Sequence, residues 1–277
     1  MTGSTRAFRL FDGAGLQPSS PEWPDRGIAP LELCWPADDD WPQRLRDQGV
    51  LLIHDVPPDR DNRSLRCLGA RLGQPSLRAI ERRLDEGAGV QRVQALGTMV
   101  RDRSGKPLLS AGHGAFALHT DESFVEHPAD FVLLHCWQPA ASGGTTRMAD
   151  SRAIRASVDR VEWIAWTQLR LPYPCGERCS VECAGAVRFN PAECAASLSS
   201  MQRDRMARFA ETVRRLSIEV PLAAGDVLLL DNRRMLHGRS AFPADSGRLL
   251  KRLRLVAARS HRDWRECGFT EAQADDR

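Results

Sequence analysis

The sequence predicts a mainly β protein with flanking helices. Three features support this prediction: short apolar runs bounded by turn residues, two stretches with the apolar periodicity of helices, and a length of 277 residues. A sandwich or barrel of that length is commonly one domain. We therefore expect a single domain over 1–277, in which 1–30 is an irregular lead rich in glycine, proline and serine.

In the first half of the chain, strands are expected where apolar runs meet turn residues. Val50-Leu51-Leu52-Ile53-His54 is such a run, and Pro57 and Pro58 end it. A helix over 62–72 carries leucines on one stripe and has Gly73 just past its end. Further strands are expected at 7–10, 90–96 and 131–137, and 101–114 has loop composition.

The second half is expected to contain two long helices and two more core strands. The helices span 151–169, capped by Asp150 or Ser151, and 197–216, with an apolar stripe that begins at Met201. A cysteine-containing loop at 172–196 lies between them and includes a short strand at 186–190. The core strands are 221–231, with a turn at Gly225-Asp226, and 248–257.

The last of these strands has a polar face that requires an explanation. Arg248, Arg252 and Arg254 alternate with leucines, so the three arginines share one face of the strand. Because buried charge is costly unless it is paired, this face is expected to meet solvent or a binding site. Leu250 and Lys251 break the alternation.

Composition and charge exclude several classes of partner. The 39 basic and 36 acidic residues are mixed along the chain and give a net charge of +3, so no nucleic acid is implied as a partner. No apolar run approaches the roughly 20 residues that cross a membrane, and the first residues lack the apolar stretch of a secretory signal. A cytoplasmic protein with no membrane partner is expected.

The eight cysteines are expected to be reduced thiols. Cys175, Cys179 and Cys183 recur every four residues, and Cys194 follows. This spacing fits neither the zinc patterns nor the iron–sulfur patterns well. A variable loop with incidental thiols is therefore favoured over a structural metal site, which stays open as the alternative.

A histidine and a carboxylate lie two residues apart in Leu118-His119-Thr120-Asp121. On an extended segment this spacing turns both side chains to one face. A second histidine, His237, follows the apolar run that ends at Leu230. Two histidines and one carboxylate with open positions are the ligand set of non-haem iron(II) oxygenases.

Other histidines fit a structural role better. His261-Arg262-Asp263 repeats the spacing, but it lies in an arginine-rich tail with no later histidine. His54 and His135 lie in apolar strands and are expected to be packed and hydrogen-bonded. For His119 and Asp121, a structural hydrogen bond is the alternative when that pair is considered alone.

Four separated elements resemble the TauD/TfdA-like family of iron(II)- and 2-oxoglutarate-dependent dioxygenases, which includes clavaminate synthase-like enzymes. They are Leu118-His119-Thr120-Asp121, Gly143-Gly144-x-Thr146, Asp231-Asn232-Arg233 ahead of His237, and Arg248 eleven residues beyond that histidine. The resemblance implies a double-stranded β-helix, or jelly-roll, core over about 90–258, with a helical insert and the cysteine loop.

The resemblance also implies roles for the matched residues. His119, Asp121 and His237 would hold Fe(2+) and form the catalytic centre. Arg248 and Thr146 would bind 2-oxoglutarate, with O2 as the other cosubstrate.

A substrate role is implied for one more position. In some relatives the residue at the position of Arg252 binds an anionic group of the substrate. A salt-bridged barrel rim is the alternative for Arg252 and Arg254. The carboxylate of Asp121 favours hydroxylation or desaturation, because related halogenases replace it with a small residue.

The expected substrate is a small carboxylate-bearing molecule, free or tethered to a carrier protein. Arginines near the predicted site favour an amino acid or an amino-acid-derived intermediate of natural-product biosynthesis, and then a sulfonate or aryloxyacetate scavenged as a nutrient. Tyr173 is the only tyrosine, which disfavours an aromatic cage for a quaternary ammonium group. A zinc hydrolase and a non-catalytic binding protein are the alternatives from other classes. The oligomeric state is left open.

Overall fold

The structure is a computed structural model that describes residues 29–77, 84–96, 101, 107–181, 186–194 and 198–258. The expected strand at 7–10, the repeat His261-Arg262-Asp263 and Cys183 lie outside these residues. Among the described residues no helix is long and apolar enough to cross a membrane.

The described residues form thirteen strands and five α-helices. The strands are β1 (Leu31–Cys34), β2 (Val50–His54), β3 (Gly73–Pro75), β4 (Val90–Gln94), β5 (Phe116–His119), β6 (Phe131–Gln138), β7 (Thr146–Asp150), β8 (Arg170–Tyr173), β9 (Gly176–Cys179), β10 (Ile218–Val220), β11 (Val227–Asp231), β12 (Met235–Arg239) and β13 (Leu249–Ala257). The helices are α1 (Trp41–Gln48), α2 (Arg63–Leu72), α3 (Ser151–Ala156), α4 (Arg160–Thr167) and α5 (Ser200–Arg215).

The strands make two main sheets and a hairpin. The larger sheet has seven strands in the order β1-β2-β11-β6-β13-β3, with β4 also paired to β13. The smaller sheet has the order β10-β7-β12-β5, and β8 pairs with β9. All pairs are antiparallel except β1 with β2.

Alternation along the strands divides the apolar side chains into layers. Val50 and Leu52 of β2 pack in one cluster with Met148, which belongs to the smaller sheet, so this cluster lies between the sheets. Leu51 and Ile53 point the other way and pack with the leucines of α1 and α2. A third cluster gathers apolar side chains of α3, α4, α5 and the β8–β9 hairpin. Two facing sheets with helices outside confirm the mainly β, jelly-roll fold.

Several predicted elements agree with the structure. The expected strand at 50–54 and the central strand β6 are present, and β6 lies between β11 and β13 with its first six residues buried. Helix α2 buries Leu65, Leu68 and Leu72, and the Asp59 carboxylate accepts hydrogen bonds from the first backbone N–H groups of that helix. The larger sheet also includes β1 and β2, which precede the expected core at 90–258.

The helix predicted at 151–169 is wrong as one element, because the chain forms α3 and α4 instead. The α3 segment ends at Ala156, and Ser157 bonds back to the carbonyl of Ile154. Asp159 then starts α4 by accepting a hydrogen bond from the backbone N–H of Glu162. A second capping residue inside the periodic stretch thus divides the helix.

Three other predicted elements differ from the structure. The loop at 172–196 begins within the β8–β9 hairpin, and the strand expected at 186–190 is reduced to a single bridge between Val181 and Val187. The strand expected at 221–231 starts only at Val227, after the turn at Gly225, and β10 precedes that turn. In α5, Phe209 and Val213 are buried as expected, but Met201 is exposed.

Candidate metal centre

His119, Asp121 and His237 come together in the smaller sheet and the turn that follows β5. One ligand atom from each lies within 4.8 Å of the other two. The Asp121 Oδ1 atom is 3.2 Å from His119 Nε2 and 3.7 Å from His237 Nε2. Within the described part of the chain, no other group of three histidine, cysteine or acidic side chains has this geometry.

The strand β5 and its neighbour fix the orientation of His119. Its Nδ1 atom is 2.9 Å from the backbone carbonyl of Ala117, so that nitrogen carries the proton and donates it. The Nε2 atom is then left as the lone pair that faces the centre. The Phe116 ring stacks on the imidazole at 4.0 Å between centroids, and His237 is the partner of His119 in the β12–β5 pairing.

Asn232 anchors the backbone of Asp121. Its side-chain oxygen accepts from the Asp121 N–H at 2.8 Å, and its side-chain nitrogen donates to the Asp121 carbonyl at 3.0 Å. The same nitrogen donates to the carbonyl of Ala129 at 2.8 Å. A buried amide therefore ties the metal-ligand turn to the start of β6, and this explains the Asp231-Asn232-Arg233 motif in physical terms.

Electrostatics give His237 and Asp121 the protonation states that metal binding requires. Burial, reinforced by the nearby His119, lowers the pKa of His237 to about 3. Burial alone would raise the pKa of Asp121, but the Arg252 guanidinium and the hydrogen bond with His119 outweigh it and hold that pKa well below its usual range. The site thus presents a neutral imidazole and an ionised carboxylate at neutral pH.

The donor set fits a divalent first-row metal. Two ligand atoms each about 2.1 Å from one ion lie about 3 Å apart in neighbouring octahedral positions, close to the two distances measured from Asp121 Oδ1. His237 Nδ1 and Asp121 Oδ2 are buried without a hydrogen-bond partner, although Arg252 lies near the latter. The structure therefore brings together the three residues that the sequence predicts as ligands.

A cavity joins the two histidines of the triad to the predicted 2-oxoglutarate residues. Thr146 at the start of β7 and Arg248 just before β13 line it together with His119 and His237. Arg248 is buried, its Nη1 atom has no hydrogen-bond partner, and its guanidinium lies 5.2 Å from the centre of the Phe242 ring. A buried guanidinium with a free donor in a cavity is suited to a carboxylate.

The Gly143-Gly144 turn leaves room for that guanidinium. Both glycines have φ near +65°, a conformation that L side chains rarely adopt. A Cβ atom on Gly144 would lie 2.8 Å from Cδ of Arg248, and one on Gly143 would lie 2.2 Å from the carbonyl oxygen of Ala241. The two glycines are therefore needed for backbone conformation and for close approach to Arg248.

Arg252 and Arg254 lie on the site face of β13. Arg252 Nη1 is 3.2 Å from Asp121 Oδ2, and its Nη2 donates to Gln91 at 3.1 Å. Arg254 donates to the same Gln91 oxygen at 2.5 Å and lies 3.5 Å from Glu122. Both arginines line a second cavity, which also contains Asp121 and Glu122, so they form ion pairs inside the site and not on an exposed rim.

Sequence reasoning did not identify Gln91, Glu122 and Asn232 as parts of the site. Glu122 follows the ligand Asp121 directly with φ +60°, and its carboxylate accepts from Ser76 and from the N–H of Ala129. Gln91 lies on β4, about 30 positions before the triad. Only Asn232 carried a signal, as a member of a recognised motif.

The remaining candidates take structural roles. His135 Nε2 lies 3.1 Å from the carbonyl of Val56, and Trp137 donates to its Nδ1, so this histidine is packed as expected. Among the described residues, Cys175, Cys179 and Cys194 form no disulfide, and none of them joins a metal-binding group. Tyr173 packs in the cluster beneath the helices and away from both cavities.

Comparison with known proteins agrees with this geometry. The family described as "Taurine catabolism dioxygenase TauD, TfdA family" matches residues 18–161 and 182–254. The chain belongs to the TauD/TfdA family. No curated protein sequence matches it significantly.

Solved structures of low sequence identity share the TauD/TfdA fold. An asparagine oxygenase (AsnO) is 18% identical with a TM-score of 0.61, and the match covers 78% of this chain and 76% of that one. The non-heme iron oxygenase OrfP, in complex with Fe and alpha-ketoglutaric acid, is 18% identical with a TM-score of 0.58 and 79% coverage of each chain. PvcB, described as an Fe, alpha-ketoglutarate dependent oxygenase from an isonitrile synthetic pathway, is 19% identical with a TM-score of 0.63 and coverage of 91% and 97%.

Proposed function

We propose that the protein is an Fe(II)- and 2-oxoglutarate-dependent oxygenase that hydroxylates or desaturates a small carboxylate-bearing substrate. One observation carries the proposal: two of the three ligands, His119 and His237, line the same cavity as Arg248, whose buried Nη1 atom has no hydrogen-bond partner. The third ligand atom, from Asp121, lies within 4.8 Å of those of the two histidines. His119, Asp121 and His237 would hold the iron and leave it accessible to the keto acid and O2. Family membership and the solved relatives that contain Fe and alpha-ketoglutaric acid support the proposal.

The protein's own contribution is to hold and shield the reacting groups. His119, Asp121 and His237 would hold the iron on one face, and Asn232 would keep the Asp121 turn in place. When bound, iron and 2-oxoglutarate supply the O2-dependent oxidation of a C–H bond, with decarboxylation of the keto acid to succinate. All three ligands are buried, which limits the access of water to the centre.

Arg248 and Thr146 would fix the cosubstrate. The planar guanidinium matches the two oxygens of a carboxylate, and a hydroxyl can donate a further hydrogen bond to it. Burial lowers the pKa of Arg248, and no acidic side chain among the described residues is paired with it. The distal carboxylate of 2-oxoglutarate would therefore supply the missing negative charge.

We assign the substrate to the amino acids or their derivatives. Arg252 lines both cavities and has a buried Nε atom without a hydrogen-bond partner, so it can receive a substrate carboxylate. Arg254 lines only the second cavity and not the one that contains Arg248, which leaves Arg252 as the better candidate. Two relatives of this fold are described with amino-acid products: the asparagine oxygenase with 3-hydroxyasparagine, and OrfP with (3S)-hydroxy-L-Arg.

A sulfonate or aryloxyacetate is the second candidate substrate. The matched family is described by taurine catabolism, and a guanidinium binds sulfonates as well as carboxylates. A carrier-tethered amino acid is a further form of the first candidate. It would place the carboxyl group in a thioester and remove the charge that Arg252 would bind.

The test is metal analysis followed by a succinate assay. Protein reconstituted with Fe(II) is given 2-oxoglutarate and O2 with a panel of free amino acids, carrier-bound amino acids, taurine and aryloxyacetates. We expect succinate in amounts that match the oxidised product of one amino-acid class. Zinc in the purified protein with no succinate from any member would favour a hydrolase, and tight ligand binding without turnover would favour a binding protein.

A further inference from the structure

Residues 109–114, which we call the strap, lie beside both cavities. The strap contains the short 3-10 helix Leu109–Ala111 and precedes β5. Ser110 lines the cavity that holds Thr146 and Arg248 and also the one that holds Arg252. The position of the strap therefore affects how well both ligand spaces are closed.

Arg239 ties the strap to the strand that carries His237. Its Nη1 atom donates to the carbonyl of Gly114 at 3.0 Å, and its Nη2 atom donates to the carbonyls of Leu109, at 3.0 Å, and Gly112. Arg239 is buried and lies two residues after His237 on β12. One side chain thus satisfies three strap carbonyls.

Backbone bonds hold the strap at two further points. The N–H of Phe242 donates to the carbonyl of His113 at 3.0 Å, and the N–H of Leu96 donates to that of Ala111 at 3.3 Å. Only an arginine offers a planar fork of donors that can reach three carbonyls. A lysine at this position would present a single ammonium group on a flexible side chain. The three hydrogen bonds to the strap therefore depend on the guanidinium.

The charge of Arg239 has no acidic partner among the described residues. Its guanidinium lies 5.1 Å from the centre of the Phe242 ring, and that of Arg248 lies 5.2 Å from the same ring. Both guanidiniums carry a positive charge at neutral pH, as arginine side chains do in proteins. Two positively charged guanidiniums therefore lie near the same buried aromatic ring and repel each other. An anion bound beside Arg248 would reduce that repulsion.

We propose that Arg239 is a positioning residue that couples the strap to cosubstrate binding. The inference rests on the proposed function, because it takes 2-oxoglutarate as the anion beside Arg248. Binding of the anion stabilises the charged pair and the strap that Arg239 holds. By linkage, a fixed strap strengthens binding of the anion to the same extent.

The first test is amide hydrogen exchange on the full chain. Mn(II) replaces iron so that no turnover occurs, and exchange at residues 109–114 is measured with and without 2-oxoglutarate. We expect the keto acid to slow strap exchange several-fold, with smaller changes at the β8–β9 hairpin. Unchanged strap exchange in protein that binds 2-oxoglutarate would overturn the coupling and leave the proposed function intact.

The second test compares Arg239→Gln and Arg239→Lys with Arg147→Gln. Arg147 is the matched control, since it pairs with Gly238 across β7 and β12 but is exposed and bonded to Glu219. Loss of up to three hydrogen bonds is expected to speed strap exchange and weaken 2-oxoglutarate binding by about tenfold or more. Metal content and the affinity for the metal are expected to stay unchanged.

The pattern of outcomes separates the two proposals. Strap exchange and keto-acid affinity equal to those of the Arg147 variant would reject the role of Arg239. If Arg239→Gln does not fold, the lysine variant keeps the charge and provides the same comparison. If the wild type binds no 2-oxoglutarate at all, the proposed function fails, whatever the strap does.

Discussion

Two histidine–carboxylate clusters in this molecule differ in what they leave unpartnered. In one, His54 Nδ1 lies 2.8 Å from Asp226 Oδ1, and its Nε2 lies 3.7 Å from a Glu32 oxygen. The other oxygen of Asp226 accepts from the N–H of Ala223 at 2.7 Å. His54 is about one-third exposed, so water can complete its shell.

The His119–Asp121–His237 cluster has the same chemical groups in a buried setting. His237 Nδ1 lacks a hydrogen-bond partner there, as do Arg248 Nη1 and Arg252 Nε, and all three residues line the same cavity. An unsatisfied buried polar atom costs about 1–3 kcal/mol, so several in one cavity are expected only where a ligand completes them. The two clusters contain the same residue types. What distinguishes the candidate ligands from the structural histidine is that their cavity contains buried polar atoms without hydrogen-bond partners.

The largest expected effect comes from removing one carboxylate from each cluster. Asp121→Ala should weaken metal binding and reduce turnover by at least about a thousandfold, because it removes a charged ligand from the centre. Asp226→Ala should keep turnover and lower the free energy of unfolding by about 1–3 kcal/mol. For both variants, metal content, succinate formation and the free energy of unfolding from chemical denaturation are measured. Full turnover in Asp121→Ala would contradict the assignment.

The next effect concerns the amide that holds the metal turn. Asn232→Ala removes three buried hydrogen bonds and should lower unfolding stability by about 2–4 kcal/mol and metal affinity by about tenfold to a hundredfold. Asn232→Asp keeps the acceptor for the Asp121 N–H and loses the two donated bonds. Its metal affinity should therefore lie between those of the wild type and the alanine variant. Wild-type metal affinity in both variants would show that Asn232 does not position the ligand.

The sequence predicted the candidate ligands because local spacing and a motif carry that information. The two-residue spacing of His119 and Asp121 predicted that the two side chains meet, although Asp121 lies in the turn just after β5, and the apolar strand β11 locates His237 just beyond it. The support around them depends on contacts between distant segments. Gln91 reaches Arg252 from across the β4–β13 pairing, and no local pattern marks it.

The fold was predictable to a similar degree. Apolar runs such as Val50–His54 and Phe131–Gln138 were evident because both faces of these strands are buried. The division of 151–169 at Asp159 was missed because the apolar periodicity continues through the capping residue. The β8–β9 hairpin was missed because its strands are short and rich in polar residues.

A smaller effect tests the glycine that lies against Arg248. Gly144→Ala adds a Cβ 2.8 Å from Arg248 Cδ in a backbone with φ +66°, so both stability and 2-oxoglutarate affinity should fall. Gly87→Ala is the control, since its φ is +89° and its Cβ would meet nothing within 4 Å. Both variants should lose about 1–2 kcal/mol of unfolding free energy from the backbone. Only Gly144→Ala should weaken the binding of 2-oxoglutarate, which calorimetry can measure. Equal keto-acid affinities would remove the steric role of Gly144.

The smallest effect concerns thiol reactivity outside the site. Burial raises the pKa of the Cys136 thiol to about 11, whereas Cys34 and Cys67 are exposed. Alkylation by iodoacetamide at neutral pH, followed by peptide mass spectrometry, should modify Cys34 and Cys67 well before Cys136. Early modification of Cys136 in folded protein would contradict its burial between the sheets.

The most direct test of the central claim is anaerobic calorimetry with Fe(II) followed by 2-oxoglutarate. The proposed site should bind one ferrous ion and then one 2-oxoglutarate per chain. Arg248→Met should bind the ferrous ion as the wild type does. Its affinity for 2-oxoglutarate should fall by about tenfold to a hundredfold, as expected for loss of a charge-assisted pair. Wild-type keto-acid affinity in Arg248→Met, or wild-type iron affinity in Asp121→Ala, would contradict the account.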